Sequence, residues 1–173
     1  MPINTIKMVK IEALVKEGKI SRIKETELKR YIEFFTESYE DNLNHSKVNL
    51  EAYPRWAIIS GYYAMHDISK LLIAKMCRFK IERQAHITTI KVLRELIKDE
   101  NMVKLLEEGY EEFQGLAEDL DEAKKERVKV QYYTGSHFLK EKYKEKAKVF
   151  FNGVVEPFID KIKKLLSEDK DDK

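Results

Sequence analysis

Residues 56–72 read WAIISGYYAMHDISKLL. Only Asp67 and Lys70 carry a formal charge in this stretch, although 37% of the chain is Asp, Glu, Lys or Arg. Ala57, Ser60, Gly61 and Ala64 fall at i, i+3, i+4 and i+7, so one side of a helix here is nearly bare backbone. Ile58, Tyr62, Met65 and Ser69 lie on another side, and Ile68, Leu72 and Met76 continue the apolar surface. A helix apolar on every side is a buried helix. Its small face lets a neighbour approach closely, and each buried tyrosine brings a hydroxyl that needs a partner. The stretch therefore predicts a central helix with the other elements arranged around it.

The rest of the chain supplies those elements. It has 173 residues, 43% of them hydrophobic, enough for one domain with a real core. Glu, Lys, Leu and Ala are abundant, and no proline occurs between Pro54 and Pro157. A first helix is expected over 5–17, with Gly18 suited to end it. A second runs from Lys24 to Asn44 on a stripe of Leu28, Ile32 or Tyr31, Phe35 and Tyr39. Asn42 to Tyr53 reads as an Asn-rich connection, and Pro54 suits the first turn of the central helix. A fourth helix covers Arg83–Lys98 with His86, Ile90, Leu93 and Ile97 inward. A short turn at 102–106 precedes a longer helix to Tyr132, striped by Phe113, Leu116, Leu120, Ala123, Arg127 and Gln131. Ser136 can cap the last helix, in which Pro157 predicts a kink at Gly153. The sum is all-α: an antiparallel up-and-down bundle of four to five long helices. Residues 1–20 form a helical extension, 21–166 the bundle and 167–173 a charged tail.

Composition removes several function classes. The net charge is +2, without the strong basic excess of a protein that grips nucleic acid by charge alone. A single cysteine, Cys77, excludes a disulfide framework and reads as a small buried hydrophobe. The charged N-terminus is neither a signal peptide nor a membrane span, so a cytoplasmic protein without membrane contact is expected. None of the four histidines has Glu or Asp three residues before it, which argues against a di-iron bundle. No metal or cofactor is called for. Glu107, Glu108, Glu111 and Glu112 read as a solvated face.

One residue breaks its pattern. Arg127 stands within an apolar stripe, where a guanidinium must be paired or must line a cleft. It is either a structural ion pair or an anion site, with Gln131 one turn on and Tyr132 beside it. His86 also lies on an apolar stripe, within reach of Glu82 if the helix begins that early. His66, one turn after Tyr62, reads as packed and hydrogen-bonded. Tyr62 and Tyr63 read as core, with the alternative that one hydroxyl reaches a cleft.

These residues carry a resemblance. Ser60-Gly-Tyr-Tyr-Ala-Met-His66 followed by Lys70-Leu-Leu72 resembles the YYAMF…A…LL helix of HEPN domains, the higher eukaryote and prokaryote nucleotide-binding helical domains. Arg83-Gln-Ala-His86 is similar to the family's K-x-H element. Arg127-Val-Lys-Val-Gln-Tyr132 resembles its R-x-x-A-D-Y element, with Gln131 in place of Asp. The likeness covers Lys24 to Leu166 in the right order. It implies a homodimer whose Arg-bearing helices face a cleft, binding nucleotide or RNA through Arg127, Gln131, Tyr132 and His86. It also implies a minimal nucleotidyltransferase partner in a toxin–antitoxin-like module. Some relatives are metal-independent ribonucleases using Arg and a His four to six residues on. Positions 132–134 here are Tyr, Tyr and Thr, and His137 is too far along, which weighs against an enzyme. Two rival readings stay open: an endoribonuclease rearranged around Arg127 and His86, and a non-catalytic dimeric interaction module.

Overall fold

A computed structural model describes the backbone of residues 5–97, 99–129 and 135–171, and side chains over 10–97, 99–116 and 141–168. The elements are α1 (Thr5–Lys16), β1 (Ile20–Arg22), α2 (Glu25–Val48), α3 (Pro54–Cys77), β2 (Phe79–Ile81), α4 (Ala85–Leu96), α5 (Glu100–Lys129), α6 (Gly135–Phe150), a π turn (Phe151–Val155) and α7 (Glu156–Asp171). The chain is a helical bundle, as its composition implies. Among the described residues no helix is long and apolar enough to cross a membrane.

The central position of α3 follows from its own side chains. Ala57, Ile58, Tyr62, Ala64, Met65, Ile68 and Leu72 are all at most 1% exposed. It packs against α2, α4, α5, α6, the π turn and α7. Its small face does what bare backbone permits. Ser46 of α2 lies over Gly61 and donates to the Ala57 carbonyl at 2.7 Å. A Cβ on Gly61 would meet Ser46 Oγ and Val155 Cγ2, each at 3.0 Å. Gly61→Ala is therefore expected to lower stability by about 1–2 kcal/mol, overpacking outweighing the gain in helix propensity, as read by urea unfolding. On α5, Gly109 plays the matching part: a Cβ there would come to 3.0 Å from Met65 Sδ.

Several boundaries differ from the sequence reading, each for a physical reason. Helix α2 continues to Val48 through its Asn-rich end, because Asn42 and Ser46 are used in packing against α3 and that outweighs their weak propensity. The predicted separate turn at 102–106 belongs to one long α5. Its start is fixed by Asp99, whose Oδ1 accepts from the N–H groups of Asn101 (3.0 Å) and Met102 (3.3 Å). Ser136 lies inside α6 rather than ahead of it. The kink expected from Pro157 takes the form of the π turn: the Glu156 N–H reaches back five residues to the Phe151 carbonyl. The wider turn spares the Gly153 carbonyl from the proline ring.

The antiparallel pair β1–β2 has no counterpart in the sequence reading. Gly18, at φ +65°, ends α1, with Gly18 N–H on the Val15 carbonyl and Lys19 N–H on the Leu14 carbonyl. Arg78, at φ +55°, ends α3 and turns the chain into β2. Ile20 of β1 is 1% exposed, and Ile11 and Leu14 of α1 join the same core.

Candidate functional site

The polar groups of α3 meet α4 and α5 in one aromatic cluster. Tyr62 and His66 come from α3, His86 from the first turn of α4, and Tyr110 and Phe113 from α5. Tyr62 stacks on Phe113 with ring centroids 4.9 Å apart, and His86 stacks on Tyr110 at 5.2 Å. His66 and His86 lie 4.9 Å apart between them. The helices place these rings because Tyr62 and His66 are one turn apart on α3, while Tyr110 and Phe113 are one turn apart on α5.

The Tyr62 hydroxyl bonds His86 Nδ1. Tyr62 is 1% exposed and His86 is its hydrogen-bond partner, so the hydroxyl proton needs the imidazole lone pair. Tyr62 therefore donates, Nδ1 accepts, and the His86 proton sits on Nε2. Burial pushes the Tyr62 hydroxyl well above the usual phenol range and holds His86 below the usual imidazole range, with the Lys70 charge adding to the latter. His86 is a neutral, oriented ring that offers an N–H.

His66 is more deeply buried. Its Nε2 lies 3.2 Å from Thr89 Oγ1, and among the described residues Nδ1 has no hydrogen-bond partner. Asp67 Oδ1 is 3.9 Å from that nitrogen, too far to bond. Burial lowers the His66 pKa to about 3, so the ring is neutral. On the next side of α3, Asp67 Oδ2 accepts from Ser38 Oγ at 2.6 Å and Asn42 Nδ2 at 3.2 Å, both on α2. Its Oδ1 stands 3.8 Å from Lys70 Nζ, which also lies 4.9 Å over the Phe35 ring. Burial raises the Asp67 carboxyl and lowers Lys70.

The candidates named from sequence fall as follows. His86 is half-buried and joins Tyr62 rather than Glu82, which stays outside α4 and accepts from Ser21 Oγ. Arg127 is on α5, with its side chain outside the described residues; Gln131 and Tyr132 lie outside them altogether. At 1.5 Å per residue, the helix sets the Arg127 Cα about 21 Å along α5 from Phe113, and so away from His86 in the same chain. Tyr62 is core and Tyr63 is 37% exposed. Glu107 pairs with Arg94, and Glu112 with Lys146 at 3.0 Å, so two of the expected solvated glutamates are bridged. Cys77 is half-buried and unpaired by disulfide, its thiol pushed up to about 11 by burial.

Thr89, Tyr110 and the Asp67–Ser38–Asn42 set were missed from sequence. The signal for the last was present: Asp67 and Lys70 are the two charges in an otherwise apolar helix. Tyr110 also lines a shallow groove of about 300 Å³ between α4 and α5, together with Ile87, Lys91, Arg94 and Gln114. Among the described residues no three His, Cys, Asp or Glu side chains are placed to share a metal ion. Comparison with protein-family models, with curated proteins and with solved structures finds no match of any of the three kinds.

Proposed function

We propose that the chain is a HEPN-type helical protein that binds nucleotide or RNA at a cleft lined by Arg127, Gln131, Tyr132 and His86. It acts in the cytoplasm as a homodimer, as the partner of a minimal nucleotidyltransferase in a toxin–antitoxin-like module. One juxtaposition supports this reading. The segment around Tyr62 and the segment ending in His86 are far apart in sequence, yet the Tyr62–His86 bond joins them. Both pack on α5, the helix that carries Arg127, the first residue of the third segment.

The homodimer belongs to the reading for a geometric reason. Since Arg127 lies about 21 Å along α5 from Phe113, against which His86 of the same chain packs, a cleft that uses both draws them from two chains. Arg127 supplies a planar fork for phosphate oxygens and the tyrosine a stacking surface. His86 favours binding over cleavage. Its lone-pair nitrogen is occupied by Tyr62, so the remaining nitrogen donates to an anion and has no lone pair with which to take a hydroxyl proton.

The test is a gel-shift assay with single-stranded RNA in EDTA, wild type beside Arg127→Ala. Binding is expected to weaken at least about tenfold in the variant, the loss of a charge-assisted hydrogen bond, with the RNA left intact. Equal binding by the two proteins would remove the Arg127 cleft. RNA cleavage that depends on Arg127 would replace binding with nuclease activity.

A further inference from the structure

Most of the described large rings are inside the chain, but Tyr53 and Trp56 are 62% and 61% exposed. They stand three residues apart at the start of α3, on neighbouring positions of one side. Among the described rings Phe34 is comparably exposed, at 60%, but it sits beside Glu37 and Asp41 on α2. The surroundings of Tyr53 and Trp56 have the opposite charge. Arg55 lies between them in sequence, with its guanidinium carbon 5.5 Å over the ring of Tyr143 on α6. Its Nε is buried without a hydrogen bond, and among the described residues no carboxylate pairs with it. Lys144 and Lys148 of α6 both bond Glu51 at 2.5 Å, just ahead of the helix. Three cations thus stand with two carboxylates, Glu51 and Glu141, the second of which also acts on Lys144.

Exposed aromatic rings beside one unpaired arginine and two lysines that share a carboxylate match what an unpaired nucleic-acid strand needs: faces on which bases stack, and charge along the backbone. We infer that Tyr53 and Trp56, with Arg55, Lys144 and Lys148, form a stacking platform for single-stranded RNA. This deepens the proposed RNA binding and rests on it. The platform is separate from Arg127. Stacking reads no sequence, so the platform accepts any unpaired strand and rejects a duplex, whose base faces are covered.

Trp56 is the sole tryptophan, so its emission reports on this surface alone. The experiment titrates the full chain with a ten-nucleotide oligoadenylate RNA, single-stranded and then annealed to its complement. Saturable quenching by the single strand and none by the duplex is expected. Trp56→Ala and Tyr53→Ala, exposed positions where truncation leaves the core intact, are each expected to weaken the gel shift about tenfold. Arg55→Ala is expected to lower the slope of log affinity against log salt by about one. If the RNA shifts the protein while Trp56 emission stays constant and both truncations bind as wild type, the platform is wrong. Loss on Arg127→Ala in that same experiment leaves the cleft standing. Loss on Trp56→Ala with none on Arg127→Ala keeps the platform and removes the cleft. An absence of RNA binding overturns both, and dissociation of an oligomer by Trp56→Ala, seen by sedimentation, then assigns the rings to a protein interface.

Discussion

Between pH 6.5 and pH 5 the protein is expected to lose about 2 kcal/mol of folding stability, and His66 is the main group responsible. In the folded chain burial holds its pKa near 3, while in the unfolded chain it returns to about 6.5. The folded state thus keeps the ring neutral where the unfolded state binds a proton. Stability is complete above pH 6.5 and falls by about 1.4 kcal/mol for each unit below it, until the folded pKa is reached. The facing groups support the direction. Tyr62, Lys70 and Asp67 come from α3, and Thr89 and His86 from α4; Lys70 and His86 both oppose a second positive charge, and only the Ala85 backbone, a smaller effect, favours it. Asp67 acts the other way. Its carboxyl is raised by burial, so the folded state takes that proton more readily than the unfolded one, and stability is regained as pH falls through its titration. That gain opposes the loss from His66, while His86, also held below the usual imidazole range, adds to the loss in the same direction. Urea unfolding at pH 7, 6 and 5 measures the slope. His66→Leu, which keeps an apolar side chain of similar bulk, is expected to flatten it. An equally steep slope in that variant would move the effect to another residue.

How much of this was legible differs from residue to residue. The central helix was readable because its signal is local: small residues at helical spacing and almost no charge fix both its period and its burial. The end of α1 at Gly18 and the start of α3 at Pro54 were readable for the same reason, since each is a backbone rule attached to one residue. The β1–β2 pair was not. Three residues of alternation are too few to register, and the pairing joins Ile20 to Ile81 across two whole helices. The extension of α2 was hidden because Asn42 and Ser46 are poor helix formers on their own, and only their bonds to α3 show why they stay helical. Asp99 was a readable cap that the apparent break at 99–101 obscured.

The candidate site shows the same division. His86 stood out because a polar ring on an apolar stripe needs an explanation. Its partner did not, because Tyr62 lies 24 residues earlier and nothing local links them. Asp67 was visible as a charge in an apolar run, but its role required Ser38 and Asn42 from another helix. Arg127 was conspicuous by the same logic as His86, and its place in the proposed function rests on its motif and on the helix that bears it.

The largest effect of a single truncation is expected at Tyr62. Its ring is the common neighbour of His66, His86, Tyr110 and Phe113, with centroids between 4.9 and 6.0 Å. Tyr62→Ala would open a cavity where three helices meet and is expected to cost about 3–5 kcal/mol, the usual range for a fully buried aromatic. Tyr62→Phe separates packing from polarity. It keeps the stack and removes only the hydroxyl, leaving His86 Nδ1 without its donor, for an expected cost of about 1–2 kcal/mol. The two variants are read by urea unfolding, and the second also by the nitrogen chemical shifts of His86. In wild type those shifts should report a single tautomer, with Nδ1 accepting and Nε2 protonated. In Tyr62→Phe they should report a mixture, because no buried donor then selects one nitrogen. A wild-type ring that already shows a mixture would mean that Tyr62 does not set the tautomer. His86 would then have no fixed N–H to present to an anion, whatever the stability data show. If the tautomer is single in wild type and mixed in the variant, RNA binding should weaken in Tyr62→Phe although its hydroxyl lies inside the core, because the residue acts through the histidine it orients.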